Sequence, residues 1–401
     1  MKYAVILGDG MADYPQEFLG GKTPLDLANK PYIDGLCKVS EVGLCKTVAD
    51  GLKPGSDVAN LSVLGYDPKE CYTGRSPLEA ASIGIALKNT DVTARANLVT
   101  LSDEENFADK TMIDYSAGEI TTAEAKILIN HLAEKLNDDK YRLYSGVSYR
   151  HCLVVDNGKI AGDLTPPHDI TGKPVKGHLP TSETGKEYLA LMERSVELLK
   201  DHPVNLARIK AGKRPASSLW FWGEGTKPKL QSFKERYGLN GAMISAVDLL
   251  KGIGKLTGMR VIEVEGATGN YDTNFLGKAN AALDALKHDD FVYIHMEAPD
   301  ECGHHGDAEH KIYSIERIDG VVKTIAEGLK NRGEDFSLLI LPDHPTPLNV
   351  MTHVSDPVPY VLYNSTKTVN SGAEKYCESV AAKTGIFVDS GVSLMKKFLG
   401  K

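Results

Sequence analysis

The stretch Phe291-Val-Tyr-Ile-His-Met-Glu-Ala-Pro-Asp300 is a strongly apolar run that ends in an aspartate. Two other segments share this pattern: Tyr3-Ala-Val-Ile-Leu-Gly-Asp9 near the start of the chain and Ser337-Leu-Leu-Ile-Leu-Pro-Asp343 near its end. Apolar runs of this length without polar alternation are typical of strands buried on both faces of a parallel sheet. The three runs therefore predict an α/β fold, with helices on both faces of a parallel sheet.

The aspartates that end these runs indicate where a functional site lies. In open α/β sheets, ligands bind beyond the carboxyl ends of the strands. We therefore expect Asp9, Asp300 and Asp343 at one edge of the sheet. Because these residues come from both ends of the chain, both ends are expected to build one site together.

The length of 401 residues predicts two domains, because single cores rarely grow beyond roughly 250–300 residues. The middle of the chain has shorter apolar runs and turn-rich breaks. We expect a discontinuous domain of residues 1–86 and 216–401, with residues 87–215 inserted as a smaller α/β domain. Apolar residues at three- and four-residue spacing predict amphipathic helices over residues 122–136 and 308–329.

Charge and composition argue against several partners and compartments. The net charge is −8, so no global positive field would attract nucleic acid or an anionic membrane. The apolar run at residues 3–8 is too short for a signal peptide, and no run approaches the ~20 residues of a membrane span. The six cysteines form no C-x-x-C pair, so neither a disulfide framework nor a thiolate zinc site is indicated. We expect a cytoplasmic protein.

A group of acidic and histidine residues accompanies the strand ends. A single Asp after a strand is usually a cap or turn residue, but these residues occur together, and the combination indicates chemistry. Carboxylate and imidazole without thiolate suit divalent ions of the zinc or manganese type. The sequence therefore predicts a metal pair with ligands from Asp9, Asp300, His304, Asp343, His344 and His353.

Three neighbouring residues compete for ligand roles, namely His295, Glu301 and His305. Asp300 and His304 are four residues apart, and this spacing brings two side chains to one face of a helical turn. We therefore expect the three competitors around the ligands rather than among them.

The stretch Pro54-Gly55-Ser56-Asp57-Val58-Ala59-Asn60 has the pattern of a helix N-terminus. Free backbone N–H groups and the positive end of the helix dipole favour anions there. Ser56 is then either the N-cap of the helix or a nucleophile. Two nearby metal ions would lower the pKa of its hydroxyl and favour the second interpretation.

Further motifs run in order along the chain: Gly8-Asp9-Gly10-Met11, Gly55-Ser56-Asp57-Val58-Ala59-Asn60, Gly74-Arg75-Ser-Pro-Leu-Glu-Ala80, Gly146-Val-Ser-Tyr-Arg150-His151, Gly266-Ala-Thr-Gly269, Asp300 with His304, Asp343-His344 and Thr352-His353-Val-Ser-Asp-Pro-Val-Pro359. In residue sequence and in order along the chain, these motifs resemble the archaeal-type cofactor-independent phosphoglycerate mutases of the alkaline phosphatase superfamily. The resemblance extends from the first strand nearly to the C-terminus.

This resemblance implies an alkaline phosphatase-like domain that holds two divalent metal ions and an inserted phosphotransferase domain. Manganese is the expected ion, and zinc, cobalt and magnesium are alternatives. Ser56 would take phosphate from 3-phosphoglycerate and return it to the 2-hydroxyl of the retained glycerate. The implied ligands are Asp9, Ser56, Asp343 and His344 for one ion, and Asp300, His304 and His353 for the other.

The inserted domain must then hold the carboxylate of this small phosphorylated acid and exclude water, because the phosphoserine would otherwise hydrolyse. Arginine suits that task because it pairs bidentately with carboxylate or phosphate. We assign it to Arg75, Arg95, Arg150 and His151. Nothing in the sequence marks an interface, so no oligomeric state is predicted.

Two alternative activities stay open from the sequence. Glu119 stands where the family pattern favours a basic residue, and its charge would repel a substrate carboxylate. A homoserine kinase-like phosphotransferase of the same family is therefore one alternative. A metal-dependent phosphomonoesterase with the same ligands is the other.

Overall fold

The apolar runs form strands of two separate sheets in the computed structural model, which describes residues 1–401. The strands are, in chain order, β1 (Lys2–Gly8), β2 (Glu41–Cys45), β3 (Val92–Leu101), β4 (Met112–Asp114), β5 (Tyr141–Val147), β6 (Arg150–Val155), β7 (Ser218–Thr226), β8 (Gly241–Ile244), β9 (Arg260–Ile262), β10 (Phe291–Met296), β11 (Phe336–Leu341), β12 (Val358–Asn364) and β13 (Phe387–Val388).

Fifteen α-helices accompany the two sheets. They are, in chain order, α1 (Pro24–Leu27), α2 (Pro31–Cys37), α3 (Ser56–Val63), α4 (Pro68–Cys71), α5 (Ser76–Ser82), α6 (Thr122–Leu136), α7 (Glu183–Leu199), α8 (Pro203–Lys210), α9 (Phe233–Tyr237), α10 (Asp248–Leu256), α11 (Phe275–Ala285), α12 (Ala298–His304), α13 (Ala308–Asn331), α14 (Glu378–Lys383) and α15 (Gly391–Leu399). The two helices predicted from the sequence are confirmed as α6 and α13.

The large sheet has the strand order β13-β2-β12-β11-β1-β10-β8-β9. Strand β1 lies between β10 and β11 and is parallel to both. Every residue of β10 and β11 is buried, as the continuous apolar runs predict. Strand β12 is antiparallel to β11 and to β2. The predicted α/β fold with a mainly parallel central sheet is confirmed.

Helices cover both faces of the large sheet. Successive side chains of a strand point to opposite faces, and β1 shows the consequence. Ile6 belongs to a buried core that also contains Ile318 of α13. Tyr3, on the other face, packs edge-on against Phe398 of α15 with ring centroids 5.5 Å apart.

The smaller sheet is antiparallel throughout. Strand β3 pairs with β4, β6 and β7, and β5 pairs with β6. Its core joins Leu98 of β3, Leu128 of α6 and Met192 of α7. This sheet and its helices form the inserted part of the chain.

The chain divides into a large unit, Met1–Tyr72 with Lys229–Lys401, and an inserted unit, Thr73–Pro228. The boundaries expected from the sequence, 86/87 and 215/216, both fall inside the inserted unit. The difference arises because α5 packs against β3 and β7, and because β7 is itself a strand of the smaller sheet. Both elements therefore belong to the insertion.

Two further features concern the helices and the cysteines. No helix is both long enough and apolar enough to cross a bilayer. All six cysteines are free and buried.

Candidate functional site

Three aspartates follow three adjacent strands of the large sheet. Asp9 comes directly after β1, Asp343 comes shortly after β11, and Asp300 lies in the first turn of α12, which follows β10. Because these strands are parallel, their carboxyl ends lie at the same edge. All three residues are buried. The structure therefore brings together carboxylates that lie as far apart in the chain as residues 9 and 343.

Asp9, Asp343 and His344 form the first ligand group. One ligand atom from each lies within 4.8 Å of the others. His344 Nε2 lies 3.5 Å from Asp9 Oδ1 and 3.5 Å from Asp343 Oδ2. The backbone N–H groups of Gly10 and His344 donate to Asp343 Oδ1 at 3.3 and 2.9 Å. These backbone bonds fix one oxygen of Asp343.

Ser56 is the first residue of α3, and the N-cap position belongs to Gly55. The Ser56 side chain therefore does not cap the helix. Its Oγ lies 3.2 Å from His344 Nε2 and 3.4 Å from Asp9 Oδ2. Of the two interpretations of Ser56 from the sequence, the N-cap is contradicted by this geometry. The hydroxyl is directed at the first ligand group.

Asp300, His304 and His353 form a second candidate metal site, which we call the second ligand group. His304 Nε2 lies 3.3 Å from Asp300 Oδ2, and His353 Nε2 lies 3.4 Å from Asp300 Oδ1. The two Nε2 atoms are 2.9 Å apart. The ligand atoms of Asp300, His344 and His353 also lie within 4.8 Å of one another, so His344 adjoins both groups.

Residues that the sequence analysis did not single out orient these ligands. Asn60, one turn after Ser56, donates through Nδ2 to Asp343 Oδ2 and to the Ser56 carbonyl, both at 2.8 Å. The Tyr293 hydroxyl donates to Asn60 Oδ1 at 2.6 Å, which fixes the amide. Thr346 Oγ1 donates to Asp300 Oδ1. The four-residue spacing of Asn60 from Ser56 is the one signal in the sequence that could have identified it.

Met351 orients His304 through its main chain. Its φ of 56° lies in the left-handed region, which is uncommon for residues other than glycine. Its carbonyl oxygen lies 3.0 Å from His304 Nδ1. A proton on Nδ1 would donate to this carbonyl and leave the lone pair of Nε2 toward Asp300 and His353.

The three competing residues occupy different places, and one of them, Glu301, is half-buried in α12. His295 is buried, with Nε2 2.8 Å from Asp9 Oδ2 and Nδ1 3.2 Å from Ser245 Oγ. It therefore holds Oδ2 of the candidate ligand Asp9 in place. His305 is exposed, and its Nδ1 lies 2.7 Å from the carbonyl of Glu301 in its own helical turn.

The donor set fits divalent cations. Asp9 Oδ1 is buried and has no hydrogen-bond partner, although buried carboxylate oxygens are normally paired. Burial, together with the carboxylates of Asp343 and Asp300, raises the pKa of Asp9 well above its usual value. Carboxylate oxygen and imidazole nitrogen are together the ligands of transition-metal ions. These residues are accordingly two groups that could hold metal ions.

In the inserted unit, two of the predicted substrate arginines converge on one carboxylate, that of Glu79. Arg75 Nε donates to Glu79 Oε1 at 2.9 Å, and Arg95 Nε lies 2.9 Å from Glu79 Oε2. The Arg95 guanidinium also lies over the ring of Trp222, 4.0 Å from its centroid. Sequence analysis missed Glu79 and Trp222, although Glu79 has the i, i+4 spacing from Arg75 that favours an ion pair.

Arg150 lies on the same face of the smaller sheet as Arg95. Asn97 of β3 is paired with Arg150 of β6, and directly paired residues point to one face. Asn97 and Arg95 are two residues apart in the same strand and share that face. The guanidinium of Arg150 is exposed and lies 5.4 Å from the ring centroid of Tyr149.

His151, the fourth predicted substrate residue, is not brought to the arginines. It is paired with Ala96, so it points to the opposite face of the smaller sheet. It is buried, and its Nδ1 accepts the Gly146 N–H at 3.0 Å. Burial and the charge of Arg150 lower the pKa of His151 to about 3, so the ring is neutral at pH 7. The one-residue step from Arg150 is the physical reason for its separation.

Solved structures share the fold of this chain. The protein PH0037 from Pyrococcus horikoshii superposes with a TM-score of 0.82 at 30% identity, over 100% of this chain and 97% of that one. The cofactor-independent phosphoglycerate mutase from Thermoplasma acidophilum superposes with a TM-score of 0.68 at 27% identity, over 100% and 99%. The chain is thus a two-unit α/β protein of the same class as these structures.

Sequence comparisons identify the family. The model of the 2,3-bisphosphoglycerate-independent phosphoglycerate mutase family matches residues 37–205. A probable enzyme of that name from Geobacter sulfurreducens is 48% identical over 100% of both chains, and one from Methanosarcina barkeri is 50% identical over 96% of this chain and 95% of its own. The chain belongs to the 2,3-bisphosphoglycerate-independent phosphoglycerate mutases, as its motifs predicted.

Proposed function

We propose that this chain interconverts 3-phosphoglycerate and 2-phosphoglycerate by passing the phosphate through Ser56. One observation carries the proposal: the Ser56 hydroxyl is not used for capping and lies 3.2 Å from His344 Nε2 and 3.4 Å from Asp9 Oδ2. Membership of the mutase family supports the same activity. The free N–H groups at the start of α3 suit the negative charge of a phosphate.

Two divalent cations complete this proposal. Bound cations supply positive charge that stabilises the entering and leaving oxygens of phosphoryl transfer. Mn²⁺ is the proposed ion, because Mg²⁺ accepts imidazole nitrogen poorly. The residues that would hold the ions are Asp9, Ser56, Asp343 and His344 for one, and Asp300, His304 and His353 for the other.

The reaction proceeds in two phosphoryl-transfer steps. In the first, Ser56 Oγ loses its proton and bonds to the phosphorus of 3-phosphoglycerate, while the bond from phosphorus to the 3-oxygen breaks and that oxygen gains a proton. In the second, the 2-oxygen of the same glycerate loses its proton and bonds to phosphorus. The bond to Oγ then breaks, and Ser56 regains a proton.

The inserted unit has the role of retaining the glycerate. Arg75, Arg95 and Arg150 bring positive charge to one face of the smaller sheet, where a substrate carboxylate would find bidentate donors. Retention also requires that water be excluded, because water would otherwise take the phosphate from Ser56. His151 is left out of this clamp, since it points to the opposite face.

We also assign the protein to the reducing cytoplasm. Structural disulfides are characteristic of oxidising compartments. Six free and buried cysteines support a reducing one.

The decisive experiment follows phosphorus-31 NMR spectra of the Mn²⁺-loaded protein with three substrates in separate arms. With 3-phosphoglycerate alone we expect 2-phosphoglycerate and little inorganic phosphate. ATP with homoserine tests the kinase-like alternative, and p-nitrophenyl phosphate tests the phosphomonoesterase. Phosphohomoserine as the main product, or inorganic phosphate without 2-phosphoglycerate, would overturn the proposal.

A further inference from the structure

We propose that Glu79 is a positioning residue: it holds Arg75 and Arg95 as a rigid pair that binds the substrate carboxylate. This inference rests on the proposed mutase function and deepens it, because Glu79 lies in the motif of residues 74–80 but has no assigned role there. Glu79 itself would not touch the substrate, since its two oxygens face the two arginines. Its effect would reach the reaction through the guanidinium groups.

The geometry gives each arginine its own oxygen of Glu79. Arg75 Nε is 2.9 Å from Oε1, and Arg95 Nε is 2.9 Å from Oε2. In both pairs the 2.9 Å contact joins a Glu79 oxygen to the inner nitrogen, Nε, of the guanidinium. Carboxylates pair with the planar fork of guanidinium nitrogens, so the orientation of that plane decides whether a substrate is bound.

Arg95 is held from a second side as well. Its guanidinium stacks on Trp222, and Trp222 Nε1 donates to Asn97 Oδ1 at 3.0 Å. The Arg95 side chain is only 10% exposed, whereas that of Arg75 is 44% exposed. Arg95 therefore has a packed ring beneath it in addition to Glu79.

The charges around Glu79 point to an anionic ligand. The guanidinium groups of Arg95, Arg75 and Arg150 hold the pKa of Glu79 below its usual value, although burial opposes its ionisation. Burial, with the charges of Arg75 and Arg150, lowers the pKa of Arg95 to about 10, and Glu79 opposes this shift. One carboxylate thus faces three guanidinium groups. An incoming carboxylate would balance part of the remaining positive charge.

The rival explanation is that Glu79 only ties α5 to β3. The inserted unit offers a matched control for that explanation in Glu124, whose Oε2 accepts Arg208 Nη1 at 2.7 Å. Arg208 is buried, so Glu124→Gln also removes the charge from an ion pair with a buried arginine. Glutamine still serves in the capping box that Glu124 forms with Thr121.

The first measurement is calorimetric titration of 3-phosphoglycerate into Mn²⁺-loaded full-length protein with Ser56→Ala, which binds without turnover. Adding Glu79→Gln is expected to weaken binding about tenfold or more, because the ion pairs that orient both guanidinium groups are broken. Adding Glu124→Gln should leave the dissociation constant within about twofold. Equal affinities for the Glu79→Gln and Glu124→Gln proteins would overturn the inference, as would no binding to the Ser56→Ala protein.

The second measurement uses Ser56-containing protein and the ratio of inorganic phosphate to 2-phosphoglycerate. Glu79→Gln is expected to raise both this ratio and KM, whereas Glu124→Gln should change only the thermal midpoint. If Glu79→Gln keeps the wild-type ratio and KM and only lowers the thermal midpoint, the ion pairs of Glu79 are structural, and the inference fails. If wild type forms no 2-phosphoglycerate, the proposed function fails, and the binding titration still decides the role of Glu79.

Discussion

The position of Ser56 in its helix frees its hydroxyl from capping. Serine is among the preferred N-cap residues, where its hydroxyl accepts a backbone N–H. Here the cap is Gly55, and a Cβ at that position would lie only 2.9 Å from Asp57 Oδ1. Ser56 thus lies inside the helix, where its Oγ is 3.2 Å from His344 Nε2 and does not cap the backbone.

Ser56→Ala is expected to reduce turnover at least about a thousandfold, or ~4 kcal/mol in the barrier, because the covalent carrier is lost. Initial rates with 3-phosphoglycerate measure the effect. Ser62→Ala, which removes a buried hydroxyl from the same helix, is the control and should keep wild-type turnover. Residual Ser56→Ala activity within about tenfold of wild type would contradict a phosphoserine route.

His295→Gln is expected to weaken Mn²⁺ binding about 10–100-fold, because residues that orient a metal ligand have effects of this size. The physical reason is the 2.8 Å contact between His295 Nε2 and Asp9 Oδ2. Titration calorimetry with Mn²⁺ gives the affinity without any turnover. His305→Gln should bind Mn²⁺ as wild type does, since its ring contacts only its own helical turn; equal affinities of the two variants would refute the role of His295.

At the scale of elements, the sequence predicted those strands and helices whose formation depends on a local pattern of apolar residues. Continuous apolar runs gave β1, β10 and β11, and three- and four-residue spacing gave α6 and α13. The predicted ends of the inserted unit differ from the observed ones, because the sequences of α5 and β7 do not indicate which sheet each element joins. That choice is made by tertiary packing against β3.

The same limit applies to site residues. Strand ends followed by aspartate predicted which carboxylates meet at one edge, since the edge of a parallel sheet is fixed by topology. His151 was grouped with Arg150 because it is its neighbour in the chain, but strand alternation separates them. The sequence contains no signal for the role of Met351, because that role depends on where its carbonyl group points, and the backbone conformation determines this direction.

Glu378, the first residue of α14, predicts a pH dependence of stability. It accepts the Asp13 N–H at 2.9 Å and the Thr23 hydroxyl at 2.7 Å. Burial raises the pKa of Glu378 from 4.5 to about 7. The folded state therefore binds more protons than the unfolded state between these values, so this contribution to stability is present below about pH 4.5 and is lost as pH rises toward 7.

Glu378→Gln, which cannot ionise, should gain stability relative to wild type by on the order of 1–3 kcal/mol as pH rises from 4.5 to 7.5. Urea unfolding midpoints at each pH measure the difference. Glu309→Gln, an exposed change in the first turn of α13, controls for net charge and should show no such trend. A constant difference between wild type and Glu378→Gln would show that Glu378 does not carry the dependence.

At the scale of the molecule, the proposed reaction assigns its two tasks to different units. The serine, carboxylate and histidine residues belong to the large unit, and the three arginines belong to the inserted unit. A phosphatase needs only the first set, because water can accept the phosphate. A mutase must also keep the glycerate until the phosphate returns.

This division of tasks predicts how damage to each unit changes the products. Arg95→Ala or Arg150→Ala should let glycerate escape before the phosphate returns, so inorganic phosphate should rise relative to 2-phosphoglycerate in at least one variant. Ser56→Ala should lose both products. Arg142→Ala removes a partly exposed arginine of the same unit, whose ion-pair partner is Asp156 at 3.8 Å, and should keep the wild-type ratio. Phosphorus-31 NMR of the products measures all four proteins, and an unchanged ratio and rate in both Arg95→Ala and Arg150→Ala would mean that the inserted unit does not hold the carboxylate.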